Sequence, residues 1–139
     1  MSAVFDIPAI ASNFPDLAET MLIDTRLTDE PEASSRVFRV YTDVPPHYHA
    51  TCDEYLFVVT GRAIFAMGDT APVEVGPGRL VFFKKGVVHA ITPIGGEPLV
   101  FLSVDTPRRD PRDIIFVNPA DGTPDTFVET PELVEVKFV

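Results

Sequence analysis

Two stretches decide the fold: HYHATCDEYLFVVTG, from His47 to Gly61, and GRLVFFKKGVVH, from Gly78 to His89. Together they hold all three histidines of the chain, His47, His49 and His89. In a strand, residues two apart point the same way with Cα atoms ~6.5–7 Å apart. His47 and His49 therefore direct both imidazoles into one space. Glu54 opens the next strand after a bend from Ala50 to Asp53, so its carboxylate reaches the same point from a neighbouring strand. Gly61 permits a tight hairpin into the strand that follows. His89 lies far along the chain, and closure of a sheet into a barrel would carry it opposite the first pair.

Working outward, strand signals dominate. Met21–Leu27, Arg36–Thr42, Glu54–Thr60, Arg62–Met67, Leu80–Phe83, His89–Thr92 and Leu99–Val104 are short runs rich in Val, Ile, Phe, Tyr and Leu. Turn residues separate them: Asp29 to Glu32, Pro45-Pro46, Gly61, Gly68-Asp69, Gly76-Pro77-Gly78, Gly86 and Gly95-Gly96. Many short strands between Gly/Pro turns predict an all-β sandwich or barrel. Helix signals are few. Asp6 can cap a short turn from Ile7 to Ala11, with Pro8 in its first turn, and Pro15 to Thr20 can form another. Past Asp105 the chain is rich in Pro and Asp. Its closing VEVKFV run places Val134, Val136 and Phe138 on one face, a pattern expected to pack on the barrel or on a second subunit. No internal repeat or linker interrupts residues 1–139, and a single domain is expected.

The chain has 139 residues and a formal net charge of −10, from 21 acidic and 11 basic residues. This balance disfavours nucleic acid and anionic membranes as partners. The acidity lies in the flanks, while residues 55–105 carry equal numbers of acids and bases. Cys52 is the single cysteine, so no intrachain disulfide can form and a cytoplasmic protein is expected. The N-terminus has Asp6 where a signal peptide would carry positive charge. No apolar run approaches the ~20 residues of a membrane-spanning helix.

Three imidazoles and a carboxylate are the donor set of a divalent metal site. Neutral imidazoles bind zinc-like ions at ~2.0–2.2 Å, and the carboxylate offsets one of the ion's two charges. Such an N₃O set leaves one or two positions open if the metal prefers six. It suits iron, manganese, nickel, cobalt or zinc without choosing among them.

The two stretches resemble the paired motifs of the cupin superfamily. The first family motif, G-x5-H-x-H-x3–4-E-x6-G, is matched from His47 to Gly61, with Tyr41 where its leading glycine stands. The second, G-x5-P-x-G-x2-H-x3-N, is matched at Gly78, Gly86 and His89. Lys84 replaces the proline, Pro93 stands at the asparagine, and Arg79 replaces a common aspartate. None of these departures touches a ligand. The resemblance covers about Arg36 to Val104. It implies a jelly-roll β-barrel of six to eight strands, often a homodimer, with one divalent metal in its mouth held by His47, His49, Glu54 and His89.

Strand parity names the pocket around that site. Leu56 and Val58 share the face of Glu54, and Ile91 shares that of His89. Phe65 or Met67, Phe82 or Phe83, and Phe101 can extend an apolar wall, with Phe82 carried forward as the pocket candidate. Lys84 and Lys85 read as solvated turn residues, and Cys52 as packing. Arg108, Arg109 and Arg112 alternate with Asp110 and Asp113 and read as a self-paired surface run. No Ser/His/Asp triad, Walker loop or G-x-G-x-x-G is present. The expected function is a metalloenzyme acting on a small organic molecule, with dioxygenase-like chemistry ahead of an isomerase, epimerase or lyase. A small-ligand-binding module and a barrel merely stabilised by its metal are the alternatives.

Overall fold

The computed structural model describes residues 2–131; the VEVKFV run lies outside the described residues. The elements are α1 (Ile7–Ser12), β1 (Leu22–Glu30), β2 (Ala33–Val40), β3 (Val44–Tyr48), β4 (Asp53–Thr60) and β5 (Arg62–Met67). They continue as β6 (Val73–Val75), β7 (Leu80–Phe83), β8 (His89–Ile94), β9 (Leu99–Thr106), β10 (Ile115–Phe116), α2 (Pro124–Phe127) and β11 (Val128–Glu129). The strands form two sheets, ordered β11-β1-β2-β9-β4-β7 and β10-β3-β8-β5-β6. This is the jelly-roll of the sequence expectation, a β-sandwich curled into a barrel. No helix among the described residues is long and apolar enough to cross a membrane.

The period-2 alternation of β4 explains why the sheets close on each other. Glu54, Leu56 and Val58 point inward and are buried, while Tyr55 and Phe57 point outward. Facing positions on β5, β7, β8 and β9 supply Phe65, Phe83, Ile91 and Phe101 to one apolar core. Phe101 packs at 5.2 Å from Phe38 and 5.7 Å from Phe65, ring centre to ring centre. Burial of such aromatic area is the main stabilising term of a fold like this.

Several expectations are corrected. β4 and β5 are not a hairpin: they lie in different sheets, and Gly61 is the corner where the chain crosses between them. Its φ of +81° and the 2.6 Å that would separate an added Cβ from the Pro98 carbonyl oxygen exclude any side chain there. Pro45 and Pro46 lie within β3, not in a turn. Lacking N–H groups, they leave β3 to pair with β8 at Val44 and His47, with a register break between. Pro15–Thr20 forms no helix. The Pro15 carbonyl, which would accept the first helical hydrogen bond, accepts instead from Tyr41 Oη (2.6 Å) and Arg39 Nη1 (3.2 Å). The turn after Asp6 is helical, and Asp6 caps it by accepting from Ala9 N at 3.1 Å.

Past β9 the chain runs back over one end of the barrel. There β10 pairs with β3, aligning Phe116 with His47, and β11 lies parallel beside β1. β10 covers the end where β8 begins and β3 finishes, and Phe127, just before β11, packs on His47.

Candidate metal centre

Each ligand candidate is placed by its strand. His47 on β3 sits directly across from His89 on β8, within one sheet. Glu54 on β4 faces them from the other sheet. His49 lies just past the end of β3. The sequence expectation put His89 across the barrel and Glu54 beside the first pair; in the structure these two exchange places. Both routes lead to one point because the sandwich is narrow, about 10 Å between sheets.

The ligating atoms of His47, His49 and His89 all lie within 4.8 Å of one another. Glu54 Oε1 is 3.5 Å from His49 Nε2 and 3.6 Å from His89 Nε2. All four residues are buried.

Protonation follows from the hydrogen bonds. His47 Nδ1 donates to the Pro45 carbonyl (2.8 Å), His89 Nδ1 to the Val87 carbonyl (3.0 Å) and His49 Nδ1 to the Asp113 carbonyl (2.7 Å). A carbonyl oxygen only accepts, so each Nδ1 carries a proton and each ring turns its Nε2 inward. Burial lowers the pKa of His47 well below the usual value, and the neighbouring imidazoles add to it. Burial likewise lowers His89 to about 4, against the pull of Glu54. Burial opposes ionisation of Glu54, but His49, Arg109 and His89 outweigh it and hold its carboxyl well below the usual range. Three imidazole Nε2 atoms and a carboxylate thus converge on one point. Such a donor set is electrostatically unfavourable alone and fits a divalent cation.

Neighbours fix the rings. Phe83 stacks on His89 with centroids 3.9 Å apart and planes 10° from parallel. Phe116 and Phe127 from the returning segment pack on His47 at 5.7 and 5.3 Å. The Asp113 carboxylate accepts from Ala50 N (2.8 Å), Thr51 N (3.0 Å) and Thr51 Oγ1 (2.7 Å), pinning the bend that follows His49.

Beside the ligands is a cavity of about 10 Å³, lined in part by Leu56, Ile91, Phe38, Phe127 and Arg109. That is room for about one water. Leu56 and Ile91 are among the residues that line it. Val58 is buried deeper in the core and does not reach it. Phe82 points the other way, 44% exposed on the outer face against Tyr55, and Phe83 holds the inner position. Lys84 is exposed, 3.7 Å from Asp53. Cys52 is buried away from any ligand role, and burial pushes its thiol pKa up to about 12.

The arginine run is the largest departure from the sequence reading. Arg108 does pair on the surface, with Asp29, as does Arg112 with Asp125. Arg109 is instead fully inside, among Asp105, Arg36 and Asp24. Carboxylates around its guanidinium, Asp105 and Glu54 foremost, more than offset the effect of burial and raise its pKa. Asp105 is raised to about 6 by burial and by repulsion from Glu54. No strand pattern marks Arg109, because it follows β9 in a segment without periodicity.

Residues 37–105 match the cupin domain family model. The barrel is a small cupin domain. Among solved structures, an uncharacterized conserved protein with a double-stranded β-helix domain from Klebsiella pneumoniae is 20% identical. Its TM-score is 0.64, over 78% of this chain and 92% of that one. TT1209 from Thermus thermophilus is 16% identical with a TM-score of 0.65, over 76% of this chain and 98% of that one. The DMSP lyase DddQ from Ruegeria pomeroyi is 26% identical with a TM-score of 0.56, over 65% of this chain and 45% of that one. No curated protein matches the chain in sequence.

Proposed function

We propose that this chain is a metal-dependent enzyme acting on a small organic molecule, with His47, His49, Glu54 and His89 holding one divalent ion. One observation carries the reading: every Nδ1 of the three histidines is committed to a backbone carbonyl, so three Nε2 atoms and the Glu54 carboxylate face a common centre. The bound ion would supply Lewis acidity and, if iron, access to O₂. The chain's own residues hold that centre rigid, exclude water with Phe116 and Phe127, and surround the open side with Leu56 and Ile91.

Dioxygenase-like chemistry is the preferred form. Among the described residues lining the cavity, only the ligands themselves and Arg109 are polar, so the wall offers a dry, apolar setting for reactions carried by the metal. A lyase is the second reading, favoured by the similarity to the DMSP lyase. O₂ uptake by the Fe(II)-loaded chain, screened against small carboxylic and phenolic compounds, separates them. Substrate-dependent uptake is expected. No uptake with any compound, together with zinc as the native metal, sinks the dioxygenase form.

We also infer a homodimer. Tyr55 faces Phe82 and Phe57 faces Leu80 across β4 and the edge strand β7, leaving four partly exposed apolar side chains in one patch. Light scattering should give twice the 15.3 kDa chain mass; a monomer at all concentrations overturns the inference.

A further inference from the structure

We propose that Arg109 is the anion anchor of this pocket and that its ligand is a small monocarboxylate, bound between the guanidinium and the metal. This rests on the metal site proposed above and names the class of molecule it takes. Arg109 follows the last long strand, and its backbone N–H donates to Ser34 Oγ at 3.1 Å. Its side chain is 3% exposed and lines the same cavity as His47, Glu54 and His89. Among the described residues, neither Nε nor Nη1 has a hydrogen-bond partner. The nearest carboxylate oxygen, Asp105 Oδ2, is 3.5 Å from Nε and lies equally far from Arg36 Nη2. Arg36 in turn has its own close partner, Asp24 Oδ2 at 2.8 Å. A buried guanidinium with unfilled donors is costly, and an anionic carboxylate oxygen is an acceptor that fills the open Nη1 with a charge-assisted hydrogen bond.

The charge balance points the same way. By formal charge the buried cluster holds three acidic side chains, Asp24, Glu54 and Asp105, against two arginines, Arg36 and Arg109. Adding a divalent ion among neutral imidazoles leaves one positive charge in excess. A monoanion neutralises it, whereas a dianion would reverse it. The cavity of about 10 Å³ holds about one water, so the ligand must be small, and even a carboxylate enters only as the Phe127 side of the wall gives way.

Formate is the probe, titrated at pH 8 into the full-length protein loaded with Co(II), with the visible d–d spectrum as readout. Wild-type protein should show a saturable spectral change. Arg109→Gln should load Co(II) normally but bind formate roughly tenfold to a hundredfold more weakly, and Arg109→Lys should fall between. Formamide, neutral and similar in shape, should bind wild-type and Arg109→Gln alike. Equal formate affinity in all three proteins overturns the anchor, as does no saturable change in wild type. Failure of wild type to take up Co(II) instead overturns the metal site. If Arg109→Gln does not fold, the Arg109 Nε–H signal of Zn(II)-loaded wild type decides, assigned by its loss in Arg109→Lys. It should shift on adding formate, and an unmoved signal rejects the proposal.

Discussion

His49 donates its Nδ1 proton to the backbone carbonyl of Asp113 at 2.7 Å, across 64 positions of sequence. The orientation of one ligand candidate is therefore set by a segment outside the strands that carry the other three. Asp113 also grips the bend after His49 through its carboxylate, which three hydrogen bonds to Ala50 and Thr51 hold below its usual pKa against the effect of burial.

Asp113→Ala should uncouple the two. Losing an ionised acceptor of three hydrogen bonds is expected to lower stability by about 1–3 kcal/mol. Metal affinity should drop roughly tenfold to a hundredfold as His49 loses its fixed orientation. Metal-competition titration beside urea denaturation checks both. Unchanged metal affinity would show that the His49 ring is held by something else.

Phe83 and Phe82 should respond in opposite ways. Phe83 is buried and stacked on His89, so Phe83→Ala is expected to cost about 3–5 kcal/mol and to weaken metal binding. Phe82→Ala removes an exposed ring and should cost about 1 kcal/mol or less. Equal losses in the two variants would mean that the parity of β7 is wrong.

Gly61 and Gly78 offer a second contrast. Both have positive φ, but a Cβ at Gly61 meets the Pro98–Leu99 backbone within 3.0 Å, whereas one at Gly78 meets nothing within 4 Å. Gly78→Ala should cost about 1 kcal/mol from backbone strain alone, and Gly61→Ala substantially more. Thermal denaturation of both variants tests the order.

Acid should destabilise the metal-free protein before it protonates the site. His47 and His89 have pKa values below the ordinary ~6.5 of an unfolded histidine, His89 at about 4. As pH falls through 6.5 the unfolded chain gains protons that the folded rings refuse, so their contribution is fully present above 6.5 and shrinks toward pH 4. For His89 alone the gap is worth about 3 kcal/mol. Asp105 acts oppositely: raised to about 6, it favours the fold at low pH and loses that advantage as pH rises through 6. Two histidines against one aspartate leave stability rising with pH between 4.5 and 7 in urea unfolding of the metal-free chain. A flat or falling profile would contradict the buried, neutral state of the rings. By the same shift, metal release should move below the pH 6 expected for ordinary histidines, toward pH 4–5.

What could be read from the sequence follows from periodicity. Alternation along β4 and β7–β8 was enough to place Glu54, Leu56 and Ile91 on an inner face, and the spacing of the histidines was enough to group them. Parity could not rank Phe82 against Phe83, because LVFF puts an aromatic on each side. Pro45-Pro46 hid β3, since prolines remove the ladder donors by which a strand is usually recognised. Arg109 and Asp113 lay in a run of alternating charges with no period, where only the path of the chain over the barrel end separates a buried arginine from its two surface neighbours.

The most direct test is metal content by mass spectrometry after the full-length protein is equilibrated with equal Fe(II), Mn(II), Co(II), Ni(II) and Zn(II) and freed of unbound ions. Wild type and Cys52→Ala should each retain about one ion per chain, and His49→Ala and His89→Ala far less. Equal retention by all four proteins, or none by wild type, would contradict the account.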